Sequence, residues 1–507
     1  MVEPMKTKPL YLQTILAGAL LAVSVCTAAA QTGDTAAQPQ DAAAASGLDM
    51  SKLTREQIAN VQVPAVAERL LAMYRQAGDS ERALWALERL SALRPAVGRL
   101  KFDLALAYAA QGEKTRTYDT LVKMQGQGYG YDLADDARFE KVADTPVWAY
   151  IVKNLQINLD PFGEGKVAFE LPDGDHLYES IAWDPKRGNF LVGSVRDGTV
   201  SRVGLDGKVR DFIAPDADNG LWSVYALGVD AKHDALYVAS TASVYFRDLD
   251  KTDFGKAGVF KFRLSDGKLL GKYLLPPEGS PHTLSSITVG KDGQVFVADG
   301  VRNEIWRLDG EALEPLWKDP RMVSVRGLAL SDDGKRLYFA DHALGIFGID
   351  LAKGVAFDMA FNHDSLVLGG IEGMYWYDHT LVVIQNDMQP KRVMRLTVGD
   401  DGRTISKAMP LEASKPELTL PTTGTVSGDK LYFIANSQKN EYGTYGSPRD
   451  ASKLQAVKIY RSDLRFAWDE KGITTELQSV PTATPEQREE FLKGKPAPTP
   501  KDDSGKE

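Results

Sequence analysis

Six stretches of this chain can be laid under one another, and that repetition limits the possible folds more than any other feature. They are SIAWDPKRGNFLVGS from Ser180, ALGVDAKHDALYVAS from Ala226, SITVGKDGQVFVADG from Ser286, GLALSDDGKRLYFAD from Gly327, GMYWYDHTLVVIQN from Gly373 and TGTVSGDKLYFIAN from Thr423. Their starts are separated by 46, 60, 41, 46 and 50 residues. Each reads as a strand rich in small residues, a tight turn, and a second strand dense in Val, Leu, Ile, Phe and Tyr. Such spacing suits a four-stranded unit with loop insertions. Small residues suit the crowded axis of a ring, and bulky second strands suit packing between neighbours. The sequence therefore predicts a mainly β protein, a β-propeller of six four-stranded blades whose body runs from about Phe169 to Asp463, with the strand near Lys166 to Leu171 completing the last blade around Gln455 to Ser462.

Asp-Gly pairs at 206, 266, 292, 309, 333 and 401 fall between strand patterns. Short hairpins need positive φ, which this dipeptide supplies. These turns belong to one face of the ring. The starts of the blades and the ends of their second strands then belong to the other face. That assigns Glu179, Tyr225, Ser285, Arg326, Glu372 and Thr422 to the axial mouth, with Asp299, Asp341, His342, Asn386 and Asn436 around it. Two long insertions, near 241–256 and 437–453, rise from the same face with Tyr245, Phe246, Tyr442 and Tyr445 as an expected aromatic rim. The competing reading is that polar residues at such a mouth only solvate a water-filled channel.

Before the repeats, apolar residues fall at helical spacing from Lys52 to Leu155. AERLLAMYRQAGDSERALWALERLSALRP and LKFDLALAYAAQGEKTRTYDTLVKMQGQG align at a shift of 34 residues, which places Tyr74 on Tyr108 and Leu87 on Leu121. This period resembles the tetratricopeptide repeat. Two repeats and a capping segment bury little surface, so the helical unit is expected to lean on the propeller, as a plain adaptor or as a docking module for a protein partner.

The first thirty residues run from Lys6 and Lys8 through an apolar stretch to Ala28-Ala29-Ala30, the order of a secretory signal. The expectation is a cleaved leader and a periplasmic or secreted protein. The sole cysteine, Cys26, lies within that leader, and lipid attachment there is the rival reading. Expected boundaries are a signal peptide at 1–30, a flexible linker at 31–50, the helical domain at 51–158, the propeller at 159–480 and a disordered tail at 481–507. A net charge of -9 argues against nonspecific binding to nucleic acid or anionic membrane. No later segment has the length of a membrane span.

YESIAWDP from Tyr178, SSITVGKDGQVFVAD from Ser285, RGLALSDDGKRLYFAD from Arg326 and EGMYWYDHTLVV from Glu372 resemble the gluconolactonase, regucalcin and strictosidine-synthase-like group of six-bladed propellers. That resemblance implies an axial divalent cation, often calcium, which polarises a lactone or ester carbonyl. Position by position, it implies Glu179 and Glu372 as metal ligands. The remaining ligand position is Arg326, and a guanidinium there both removes an oxygen ligand and repels a cation. Two arrangements stay open: a metal site, or a metal-free cluster in which Arg326 bridges the carboxylates or clamps an acidic ligand. His282, in SPHTLSS, is the candidate general base. Tyr225, Arg326, Asp341, Asn386 and Asn436 are the candidate ligand-binding residues. The expected function is binding of a small molecule at the mouth with hydrolysis of a lactone or ester; the alternative is a noncatalytic ligand- or protein-binding propeller. No HExxH, CxxC, GxSxG or Walker string occurs.

Overall fold

The computed structural model describes residues 49–277 and 279–465. The expected signal peptide with Cys26, nearly all of the linker, and the tail lie outside the described residues, as does 466–480. The described chain divides into two compact units after Ile58. The first holds a 3-10 turn, Met50–Lys52, whose first amides are capped by Asp49.

The second unit contains six four-stranded antiparallel sheets. Their innermost strands are Tyr178–Asp184, Ser223–Asp230, Leu284–Val289, Val325–Leu330, Ile371–Tyr377 and Gly424–Ser427, here blades 1 to 6. Five blades take their strands in chain order. Blade 6 takes its fourth from the start: Lys166–Leu171 pairs with Val457–Asp463, as expected. All six Asp-Gly turns have glycine at φ between 59° and 82°. The first hairpin of blade 5 achieves the same turn without glycine, through Asp378 at φ 44° and His379 at φ 59°.

The apolar core lies between blades rather than within them. Leu191 and Val200 of blade 1 pack with Leu236, Val238 and Phe260 of blade 2. Equivalent clusters join every adjacent pair around the ring, including Phe169, Tyr432 and Ile459 of blade 6 against Phe190 and Val192 of blade 1. Each such side chain contributes about 1.5–3 kcal/mol when fully buried, so the ring is held by its seams.

Ahead of the ring, helices Pro64–Gln76, Ser80–Leu93, Gly98–Ala110 and Lys114–Gly126 form two hairpins whose corresponding helices begin 34 residues apart. Helix Pro146–Ile157, capped by the Thr145 hydroxyl, follows. These helices lean on the propeller, as expected. Leu121, Phe139, Trp148 and Leu155 share one core with Val367 and Met388. Arg392, fully buried in blade 5, donates to the Gln127 carbonyl at 3.0 Å and to Gln385 Oε1 at 2.7 Å. Among the described residues no helix is long and apolar enough to cross a membrane.

Candidate functional site

Five innermost strands slip register within their first residues, between Tyr178 and Ser180, Val224 and Ala226, Leu284 and Ser286, Arg326 and Leu328, and Ile371 and Gly373. A bulge breaks the in-out alternation and re-aims one side chain. Glu179, Tyr225, Ser285 and Glu372 occupy four of these bulges. The fifth holds Gly327 at φ 56°, where an added Cβ would meet Met374 Cβ at 2.9 Å. The large side chain therefore sits one position earlier, at Arg326.

These bulges set up a charged cluster. Arg326 Nε lies 3.9 Å from Glu372 Oε2 and donates to Ser324 Oγ at 3.0 Å. His342 approaches the other Glu372 oxygen, with Nε2 3.8 Å from Oε1, and its Nδ1 lies 3.9 Å from Asp387 Oδ2. Glu179 is buried and accepts a hydrogen bond from the Ser437 hydroxyl. Burial pushes the Glu179 carboxyl above its ordinary range, and the charge of Glu372 adds to this against the opposing pull of Lys439, Ser437 and Arg326. Burial also works on Glu372, but Arg326, then His342 and Lys439, outweigh it and hold that carboxyl below its ordinary range. Asp387, although its side chain is about half exposed, is pushed up by partial desolvation and by the charge of Glu372, against the pull of His342. The mouth thus holds carboxyl groups of opposite tendency around one guanidinium.

Tyr225 donates to Ser243 Oγ at 3.0 Å, and Ser243 is 2.9 Å from Ser223 Oγ. Behind the mouth, a channel of about 520 Å³ is lined by Tyr225, Ser285 and Glu372 at one end and by Lys291 and Asp332 at the other. The two insertions meet through Tyr245 and Tyr442, whose rings lie edge to face at 6.3 Å. Phe246 and Tyr442 are buried within these loops, so the expected rim is reduced to Tyr245 and the exposed Tyr445.

Of the residues singled out in the sequence, Glu179, Tyr225, Arg326 and Glu372 come together. Others are committed elsewhere. His282 is 1% exposed, with Nδ1 2.7 Å from Asp299 Oδ2 and Nε2 2.9 Å from the Pro276 carbonyl. Both ring nitrogens are thereby occupied, which removes it as a general base. Asp341 accepts from four backbone amides, those of Val323, Ser324, Ala343 and Leu344, and Asn436 pairs with Ala456 and Lys458. These side chains staple loops. Asn386 donates to the Pro421 carbonyl at 3.0 Å and remains half-buried. Asp387, Ser243 and Lys439 are what sequence reasoning missed, whereas His342, which it set around the mouth without giving it a role, joins the cluster. Alternation along the strand did carry a signal for His342: with Asp341 turned inward, its neighbour faces the mouth.

Calcium takes six or more oxygen ligands. Of the two carboxylates at the implied ligand positions, Glu372 lies beside a guanidinium and Glu179 is engaged by Ser437. Among the described residues no group of three or more His, Cys, Asp or Glu side chains is placed to hold a metal ion. The donor set does not fit the axial cation that the resemblance implies.

No family model and no curated protein matches the chain. Among solved structures, the PQQ-bound aldose sugar dehydrogenase of Streptomyces coelicolor is similar at 16% identity, covering 60% of this chain and 99% of that one, with a TM-score of 0.39. A calcium-binding regucalcin from Agrobacterium tumefaciens is similar at 15% identity, over 60% and 96% of the two chains, with a TM-score of 0.41. A glucose dehydrogenase-like oxidoreductase from Thermus thermophilus gives 16% identity, 59% and 100% coverage and a TM-score of 0.41. At these values the likeness carries no argument about activity.

Proposed function

We propose that the axial mouth binds a small polar molecule and hydrolyses a lactone or ester bond by acid-base chemistry between Glu372 and Glu179. The observation that carries this reading is the divergence of the two carboxyl groups beside Arg326: Glu372 is held ionised and Glu179 is pushed toward its protonated form. In the proposed step Glu372 takes a proton from water as the water oxygen attacks the carbonyl carbon. Arg326 stabilises the charge that develops on the carbonyl oxygen. As the ring or ester C–O bond breaks, Glu179 protonates the departing oxygen. The products are an acid and an alcohol, and a final proton exchange with solvent restores both side chains.

A second reading is binding without turnover. Arg326 Nε is committed to Ser324, but the remaining N–H groups of Arg326 and the His342 ring, whose Nε2 stands 3.8 Å from Glu372 and beyond hydrogen-bond length, remain available to an acidic ligand. In either case we place the protein in the periplasm or outside the cell, on the strength of its leader. We also take the helical hairpins, with their 34-residue offset, as a tetratricopeptide-like module for a protein partner.

Purified protein assayed against a panel of lactones and aryl esters, with and without EDTA, tests the enzyme reading. The expected result is turnover that EDTA leaves unchanged and that Glu372→Gln reduces at least a hundredfold. A ligand-induced rise in melting temperature with no turnover would favour binding, and neither response would overturn both readings.

A further inference from the structure

A second cavity, of about 400 Å³, lies where the helical hairpins meet the propeller. Its helical wall includes Ala92 and Leu104, and its propeller wall includes Phe361, Leu366 and Leu368. Lys101 enters from the helical side. Its ammonium donates to Gln127 Oε1 at 2.8 Å and stands 5.8 Å from the centre of the Tyr129 ring. No carboxylate pairs with it among the described residues, whereas the other cations of this cavity are matched. Arg116 pairs with Glu88 at 2.5 Å and with Glu113 at 3.2 Å, and Lys123 pairs with Asp364 at 3.0 Å.

An ammonium carries three N–H donors, and one amide oxygen with one ring face does not satisfy them. Lys101 is half-buried, and a partly desolvated positive charge is costly unless an anion joins it. Burial, aided by the charge of Lys123, accordingly pulls Lys101 down to about 8. Apolar side chains of both walls, Leu104, Phe361 and Leu368 among them, offer a surface for a hydrocarbon body, and the volume lies within the range of small-molecule sites. A phosphate would want several strong donors, yet Arg116 is already taken.

We propose that this cavity is a second ligand site, separate from the axial mouth, for a small amphipathic monocarboxylate whose carboxylate pairs with Lys101 and whose apolar body lies among Leu104, Phe361 and Leu368. Binding of the carboxylate requires the protonated amine. Affinity therefore falls as pH rises through the free amine's range, with Lys123, Arg116, Glu88 and Tyr108 on the helices and His363 on the propeller as the other charged or titratable groups lining the cavity, and Tyr129 facing the ammonium.

Calorimetry and thermal melts of the purified protein with octanoate test this, with 1-octanol as the uncharged match. Octanoate should bind and raise the melting temperature, and 1-octanol should bind at least tenfold more weakly. Lys101→Met keeps the apolar volume and should lose at least tenfold in octanoate affinity. Between pH 7 and pH 9 wild-type affinity should fall about tenfold, as the protonated fraction does. Arg326→Gln, at the mouth, should bind octanoate as wild type does. The proposal is overturned if octanoate does not bind at millimolar concentration, if 1-octanol binds equally well, if Lys101→Met binds unchanged, or if Arg326→Gln abolishes binding.

Discussion

Arg326 of blade 4 places its Nε 3.9 Å from Glu372 Oε2 of blade 5, so a guanidinium on one blade sets the charge of a carboxylate on the next. Both groups are partly exposed, and the pair is worth about 1 kcal/mol or less. Because the folded-state value of Glu372 is lowered, its contribution to stability is present above its ordinary range and is lost as pH falls through the folded value. Arg326→Gln removes that contribution and leaves burial opposed only by the weaker pull of His342 and Lys439. Urea denaturation should show the variant about 1 kcal/mol less stable at pH 7 and less so at pH 3, the deficit shrinking as Glu372 becomes protonated. An equal deficit at both pH values would mean that the two side chains are not coupled.

Glu412 gives the opposite sign. It is 1% exposed beside the closing strands and accepts from the Gly165 amide at 2.9 Å and Ser462 Oγ at 2.8 Å. Burial raises its carboxyl to about 7. A raised acid is comfortable when protonated, so its stabilising effect is full below its ordinary value and drains away as pH rises toward 7. The loss is at most about 3 kcal/mol. Glu412→Gln should flatten that part of the stability profile between pH 4.5 and 7.5, which denaturation midpoints measure. A profile that keeps its slope in the variant would remove Glu412 as the cause.

His282 should matter to folding and not to chemistry. His282→Ala leaves Asp299 Oδ2 and the Pro276 carbonyl without their buried partner, although Asp299 Oδ1 keeps the Thr283, Val301 and Arg302 amides, at a cost of about 2–4 kcal/mol. The denaturant midpoint should drop while turnover or ligand affinity at the mouth, measured on the folded fraction, stays within twofold of wild type. A stable variant with lost turnover would return His282 to the reaction.

The blades were legible because their code is local. Alternation, Asp-Gly turns and small-then-bulky strands each depend on a few consecutive residues, and the ring closure through Lys166–Leu171 followed from the strand count. Charged residues at blade starts were equally legible: Glu179 and Glu372 stand at bulges that recur from blade to blade. Distinguishing a ligand group from a staple was harder. Asp341 and His342 are neighbours with opposite fates, and the fate is fixed by which backbone amides lie within reach, a property of loops folded from distant segments. Lys439 and Ser437 come from an insertion with no counterpart in the other blades, so no repeat could point to them. Asp378-His379 shows the same limit in a turn, where a positive φ is imposed on residues that seldom announce it.

The pairing of Lys166–Leu171 with Val457–Asp463 also dictates an order of events during synthesis. Lys166 faces Arg461, so a strand made early waits as an open edge until almost all of the described chain has emerged. A ribosome that stalls inside blade 5 would release a necklace without its clasp, with both ends of the sheet series exposed to self-association. The helical hairpins, which contact only short spans of the later chain, cannot substitute for that clasp. Nascent chains of this protein should therefore depend on chaperones until the last blade is complete.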